Sequence, residues 1–85
     1  MTVRLLYFAW VREKLGRAEE TVTLPADVKT VAGLMAWLGQ RSPEYLEVFS
    51  RAGIIRAAID QTHAQPAASI SGAREIAFFP PVTGG

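Results

Sequence analysis

Cysteine is absent from all 85 residues. Its absence excludes a disulfide, an iron–sulfur cluster and a cysteine nucleophile. There is one histidine, His63, too few for a zinc site built on imidazoles and thiolates. Charge of one sign is also missing. Nine Lys and Arg stand against eight Asp and Glu, for a net charge of +1, and the cations are scattered along the chain. A nucleic-acid footprint needs a basic stripe, so that class of partner is not expected. The longest unbroken apolar run, Leu5 to Val11, is seven residues. It is far short of a membrane span and lacks a small-residue cleavage pattern, so neither a membrane partner nor a signal peptide is expected. The expected compartment is the cytoplasm.

What remains is one small domain. Eighty-five residues leave no room for two cores, and a chain of this length buries only about 60% of its unfolded surface. The 49% hydrophobic content is that of an ordinary globular protein rather than a disordered one. Val3 to Phe8 alternates as a first strand, with Val3, Leu5 and Tyr7 on one face and Arg4, Leu6 and Phe8 on the other. Both faces are largely apolar. Ala9 to about Leu15 predicts a short helix stopped by Gly16. Glu20 to Leu24 predicts a second strand, Val22 and Leu24 inward, ended by Pro25.

Thr30 caps the main helix, in which Val31, Leu34, Met35 and Leu38 recur at i, i+3, i+4, i+7 as one core stripe with Trp37 beside it. Ser42-Pro43 opens a second short helix whose Tyr45, Leu46, Val48 and Phe49 are expected to pack on the same core. Ile54 to Ile59 predicts a strand turning near Asp60-Gln61. Thr62 to Ala68 is weakly patterned, with an edge piece near Gln65-Pro66. Ser71-Gly72-Ala73 is a turn, and Arg74 to Phe79 is the last strand. The order strand, strand, helix, strand, strand describes an α+β domain with one main helix across a mixed sheet.

The final ten residues, Ile76 to Gly85, carry the functional signal. An apolar, aromatic strand end runs into Pro80 and Pro81, which remove ladder donors and stiffen the chain. Val82, Thr83, Gly84 and Gly85 follow, with no charged side chain after Glu75, so the terminal carboxylate is the only charge at this end. Glycine lets a backbone thread a narrow channel and leaves its carboxylate open to attack. Pro81 to Gly85 could extend roughly 17 Å, enough to enter a partner's pocket. Residues 1–80 are therefore expected to form the domain, and 81–85 a flexible Gly-Gly tail.

The string FFPPVTGG, with LLYFAWVRE near the start and AAIDQT at 57–62, closely resembles the small, sulfur-carrying subunits of molybdopterin synthase. The similarity extends over nearly the whole chain. It implies the ubiquitin-like β-grasp fold, in which the first and last strands lie parallel at the sheet centre. It also implies a non-catalytic sulfur donor. By that resemblance Gly85 would be adenylated by an ATP-using activating enzyme, sulfurated by a sulfurtransferase to a thiocarboxylate, and inserted into the large synthase subunit. There the sulfur would reach a cyclic pyranopterin precursor and form the molybdopterin dithiolene. With no thiol of its own, the chain would have to carry sulfur on its carboxylate. No resident cofactor or metal is expected, and the assembly implied is a heterotetramer with small subunits at opposite ends of a large-subunit dimer.

The strand pairing would place Leu6, Phe8 and Phe79 in one apolar patch beside the tail, which in this family docks the large subunit and the activating enzyme. Pro81, Val82, Thr83 and Gly84 complete the expected partner-binding set, with Gly85 as the reacting residue. His63 departs from the large aliphatic residue often found at its position. Glu13 and Glu75 are expected to be solvated surface. Three other readings stay open: a sister β-grasp carrier for thiamine synthesis or tRNA thiolation, a ubiquitin-like protein modifier, and an adaptor whose tail is inert.

Overall fold

The computed structural model describes residues 1–51 and 53–81. The chain runs β1 (Thr2–Tyr7), α1 (Ala9–Leu15), β2 (Glu19–Thr23), α2 (Val31–Gly39), α3 (Pro43–Phe49), β3 (Arg56–Ile59), β4 (Thr62–Ala64) and β5 (Glu75–Phe79). The five strands form one mixed sheet in the order β2-β1-β5-β3-β4. β1 and β5 pair in parallel at its centre, and the other neighbours are antiparallel. This is the ubiquitin-like β-grasp, the architecture the resemblance implied.

One face of every strand meets the helices. Val3, Leu5 and Tyr7 of β1 and Ile76 and Phe78 of β5 are buried there with Val22, Ala57, Val31, Leu34, Met35, Leu38, Val48 and Phe49. Phe78 is the aromatic hub: its ring stacks with Tyr7 at 6.3 Å and meets Phe49 edge-on at 5.2 Å. Phe8 and Phe79, one residue beyond these inward positions on each strand, point the other way because strand side chains alternate.

Local signals fixed the helices. The Thr30 hydroxyl accepts from the Gly33 N–H at 3.0 Å, and Ser42 Oγ accepts from the Tyr45 N–H at 3.3 Å, so both expected caps are present. Gly16 ends α1 with φ 72°. At the β3–β4 turn Asp60 and Gln61 both take positive φ, 47° and 72°, the geometry of a two-residue primed hairpin loop.

Four expectations are corrected. Leu46 is 57% exposed; Tyr45, Val48 and Phe49 already form the inward stripe of α3, and Leu46 lies about a quarter turn round from it. Ile54 is 49% exposed and outside the sheet, which it precedes; β3 starts at Arg56. The weakly patterned segment contains a true edge strand, Thr62–Ala64, so the edge lies before Gln65-Pro66 rather than at it. β1 ends at Tyr7 because Phe8, though extended at φ −127°, is already the N-cap of α1.

Candidate functional site

The sheet face turned away from the helices is divided by chemistry. At one end lie Thr2, Arg4, Thr21, Thr23 and Glu75. The Arg4 guanidinium meets the Glu75 carboxylate at 3.0 Å, and the Thr2 and Thr23 hydroxyls are 3.4 Å apart. Glu75 is therefore partnered rather than simply solvated; such a half-exposed pair adds little stability.

The other end is apolar at its centre, with Glu19 of β2 beside Leu6 and Arg56 of β3 beside Phe79 as charged flanks. Register places Leu6 beside Ala77, Ala77 beside Ala58, and Ala58 beside His63, one row across four strands. The next row holds Phe79 opposite Arg56, with Phe8 one step beyond the Tyr7–Phe78 pair. The Phe8 N–H still donates to the Phe78 carbonyl at 3.1 Å, which keeps Phe8 aligned with the end of β5. Phe8 is 49% exposed, and Leu6, Ala77, Phe79 and Pro80 are half-buried. The His63 ring meets Phe79 edge-on, centroids 5.4 Å apart and 72° between planes. Leu6, Phe8 and Phe79 thus share one apolar area, which His63 joins.

Backbone geometry presents Phe8. The next residue, Ala9, has φ 55°, a left-handed conformation that costs a non-glycine residue roughly 1 kcal/mol. This abrupt turn is what lets α1 bury Val11 and Leu15 in the core while Phe8 remains on the β5 ladder. No periodicity in the sequence reports it.

β5 stops at Phe79, and the chain leaves the sheet through Pro80 and an exposed Pro81 at the apolar end of the open face. The start of β5 is held just as firmly. Asp60 Oδ1 accepts from the backbone N–H groups of Arg74 and Glu75, both at 3.0 Å. Val82, Thr83, Gly84 and Gly85 lie outside the described residues, so the expected reacting position, Gly85, and most of the expected tail-borne partner set have no place in this geometry.

One cluster was missed by sequence reading. Glu20, its side chain only 10% exposed, faces inward from β2 and accepts hydrogen bonds from the hydroxyls of Tyr7 and Tyr45. It also meets Arg17 at 3.1 Å and Arg41 at 3.0 Å. The Arg41 guanidinium in turn lies 4.8 Å from the Tyr45 ring centroid and 5.6 Å from that of Trp37. The signal was available: Glu20 shares the parity of inward Val22, and an acid at an inward position requires donors. Burial pushes the Glu20 carboxyl upward, but the hydrogen bonds from Tyr45, Tyr7 and Arg41 outweigh it and hold the group below the ordinary carboxylate range. Burial, and then Glu20 itself, push both tyrosines upward, so they remain donors.

Because its folded value is depressed, Glu20 stabilises the fold above the unfolded carboxylate pKa of about 4.3, and that contribution is lost as pH falls through the folded value. Glu20→Gln should therefore cost about 1–3 kcal/mol at pH 7. In urea titrations at stepped pH, the gap between the variant and the parent should narrow below about pH 4. A gap that stays constant down to pH 3 would contradict the assignment.

Comparison with known proteins agrees with this geometry. The ThiS family model matches residues 5–85. A molybdopterin synthase sulfur carrier subunit of Escherichia coli (strain K12) is 34% identical over 83 residues, covering 98% of this chain and 99% of that protein. The sulfur carrier subunit of the same synthase from Haemophilus influenzae is 32% identical over equal shares of the two chains. Among solved structures, that of SAMP1 from Haloferax volcanii superposes with a TM-score of 0.75 at 26% identity, covering 100% of both chains. A match over residues 5–85, in a chain with the β-grasp sheet and two sulfur-carrier relatives of nearly equal length, places this protein in the ThiS family of sulfur-carrier proteins.

Proposed function

We propose that this chain is the sulfur-carrier subunit of a molybdopterin synthase and that the sulfur is carried on Gly85. The observation that carries the reading is a juxtaposition. The apolar end of the open sheet face, with Phe8 and Phe79, borders the point where Pro80 and Pro81 lead toward the Gly-Gly terminus, a stretch without a charged side chain. Patches of this kind mark interaction surfaces, and aromatic anchors dominate their binding energy. The face docks first the activating enzyme and then the large subunit, and each receives the same carboxyl end.

A carboxylate resists nucleophiles because it is anionic and lacks a good leaving group. Attack of a Gly85 carboxylate oxygen on the α-phosphorus of ATP, in the activating enzyme, releases pyrophosphate and gives an acyl-adenylate. The terminal sulfur of a sulfurtransferase persulfide attacks the acyl carbon and displaces AMP. A thiol then cleaves the resulting acyl disulfide, leaving a thiocarboxylate on Gly85 and a disulfide on the donor side. The thiocarboxylate sulfur is ionised and soft, as a thiolate is. Inserted into the large subunit, it attacks the cyclic pyranopterin precursor and displaces an oxygen substituent; water then hydrolyses the resulting thioester, leaving the sulfur on the pterin and returning Gly85 to a carboxylate, and two such deliveries complete the dithiolene. This chain supplies sulfur, reach and docking, while acid–base and phosphate-binding groups belong to the large subunit. Two small subunits at opposite ends of a large-subunit dimer form the working assembly.

The family match alone also covers sister carriers, and the two relatives named for molybdopterin synthase favour the present pathway. Reconstitution separates them. Thiocarboxylated protein, mixed with its host's large subunit and the pyranopterin precursor, should lose its sulfur to a dithiolene product. Transfer only to a thiazole precursor or to tRNA would assign it to a sister pathway.

A further inference from the structure

We infer that Pro80 and Pro81 are the positioning residues of the carrier tail. Each withholds an N–H from one neighbour of β5, so the chain leaves the sheet at Phe79 and residues 80–85 keep their full reach. The inference rests on the carrier reading above. β5 is the central strand, flanked by β1 on one side and β3 on the other. Successive residues of a strand turn their N–H groups toward opposite neighbours, so a single proline closes only one side of a central strand. Two are needed, and the register shows which proline closes which side.

On the β1 side the ladder runs through the even-numbered residues of β5. The backbone N–H of Arg4 donates to the Arg74 carbonyl at 3.0 Å, and that of Phe8 to the Phe78 carbonyl at 3.1 Å. Tyr7 beside Phe78 is the last pair. The next rung would be the N–H of residue 80 donating to the Phe8 carbonyl, and Pro80 has none. On the β3 side the odd-numbered residues carry the ladder. The Asp60 N–H donates to the Glu75 carbonyl at 2.9 Å, and the pairing ends with Arg56 beside Phe79. The next hydrogen-bonded pair in that register is Ile54 with residue 81. Pro81 has no N–H to offer the Ile54 carbonyl. That carbonyl accepts no backbone hydrogen bond among the described residues, and the Ile54 N–H turns back to the Arg51 carbonyl at 2.9 Å. The missing rung also accounts for Ile54 lying outside the sheet while Ile55 is buried. With donors at both positions β5 would zip on by two residues, shortening the reach beyond the sheet by about 7 Å. Near-attack geometry does not tolerate such a displacement.

The test compares the parent with the double variant Pro80→Thr/Pro81→Thr, each with and without Ser-Gly inserted between Val82 and Thr83. Amide hydrogen exchange of the free proteins reads the ladder. Single-turnover sulfur delivery to the host's large subunit, supplied with the pyranopterin precursor, reads the reach. The thiocarboxylates are made by sulfide cleavage of a C-terminal thioester, so no activating enzyme enters the comparison. In the double variant the new amides at positions 80 and 81 should exchange at least about tenfold slower than unstructured ones. Its delivery should fall at least about tenfold, and the insertion should restore it to within about threefold of the parent. Unprotected new amides would overturn the inference, as would delivery at the parent's rate by the uninserted variant. Slow delivery that the insertion fails to restore would also overturn it, by showing that the prolines act through contact with the large subunit rather than through reach. Absence of delivery by the parent would instead overturn the carrier reading, while hydrogen exchange would still decide whether the prolines stop the ladder.

Discussion

Removal of Gly84 and Gly85 should abolish sulfur delivery outright and leave the unfolding midpoint where it was. The two halves of this expectation have separate physical origins. Stability resides in the cluster around Phe78, Tyr7, Phe49 and the α2 stripe, which is complete by the end of β5. In the proposed function, reactivity resides in a carboxyl carbon with no side chain beside it, held at a distance from the sheet that the tail length sets. A truncated chain still ends in a carboxylate, but on Thr83, β-branched and about 7 Å short of the original terminus. Because reaction requires near-attack geometry, a shortfall of even about 1 Å can cost a hundredfold. In the reconstituted assay the truncated protein should give no dithiolene, and thermal unfolding should superpose on that of the parent. Retained delivery would mean that the tail is inert and that the chain acts as an adaptor.

The second large effect lies on the open face. Phe79→Asp should weaken docking to the large subunit by at least about 2 kcal/mol, roughly thirtyfold in Kd, the scale of an interface hot spot. The substitution puts a charge at the centre of the apolar area and removes the ring that His63 packs against. The fold should tolerate it, because Phe79 points away from the core and Arg56, its cross-strand neighbour, has the opposite charge. Thr21→Asp on the polar end of the same face provides the control and should bind as the parent does. Equal affinities for Phe79→Asp and the parent, by titration, would remove Phe79 from the docking surface.

Much of this molecule was legible before its structure. α2 could be read from one cap and one stripe, Thr30 with Val31, Leu34, Met35 and Leu38, and each behaves as local chemistry requires. Gly16 and Asp60-Gln61 likewise declare their turns through the conformations they favour. The parallel pairing of β1 with β5 could not be read in this way. It joins Arg4 to Glu75 across most of the chain, and hydrophobic alternation says which face is buried without saying which strand is adjacent. That pairing was expected only from the resemblance, yet it is what gathers Leu6, Phe8 and Phe79. Leu46 and Ile54 misled because each adjoins a genuinely buried residue, Tyr45 or Ile55, and large aliphatic side chains look alike until helix phase and strand start are known. Glu20 was overlooked for the opposite reason: its donors, Tyr7, Tyr45 and Arg41, come from three separate stretches of chain.

The central claim is that Gly85 carries sulfur, and the intact mass of this protein tests it most directly. The protein is incubated with ATP, a sulfur donor and its host's activating enzyme, then weighed and fragmented. The account predicts a mass gain equal to replacement of one oxygen by one sulfur, confined to the fragment that ends in Gly85. An unchanged mass, obtained while the same enzyme preparation sulfurates another carrier, would contradict it.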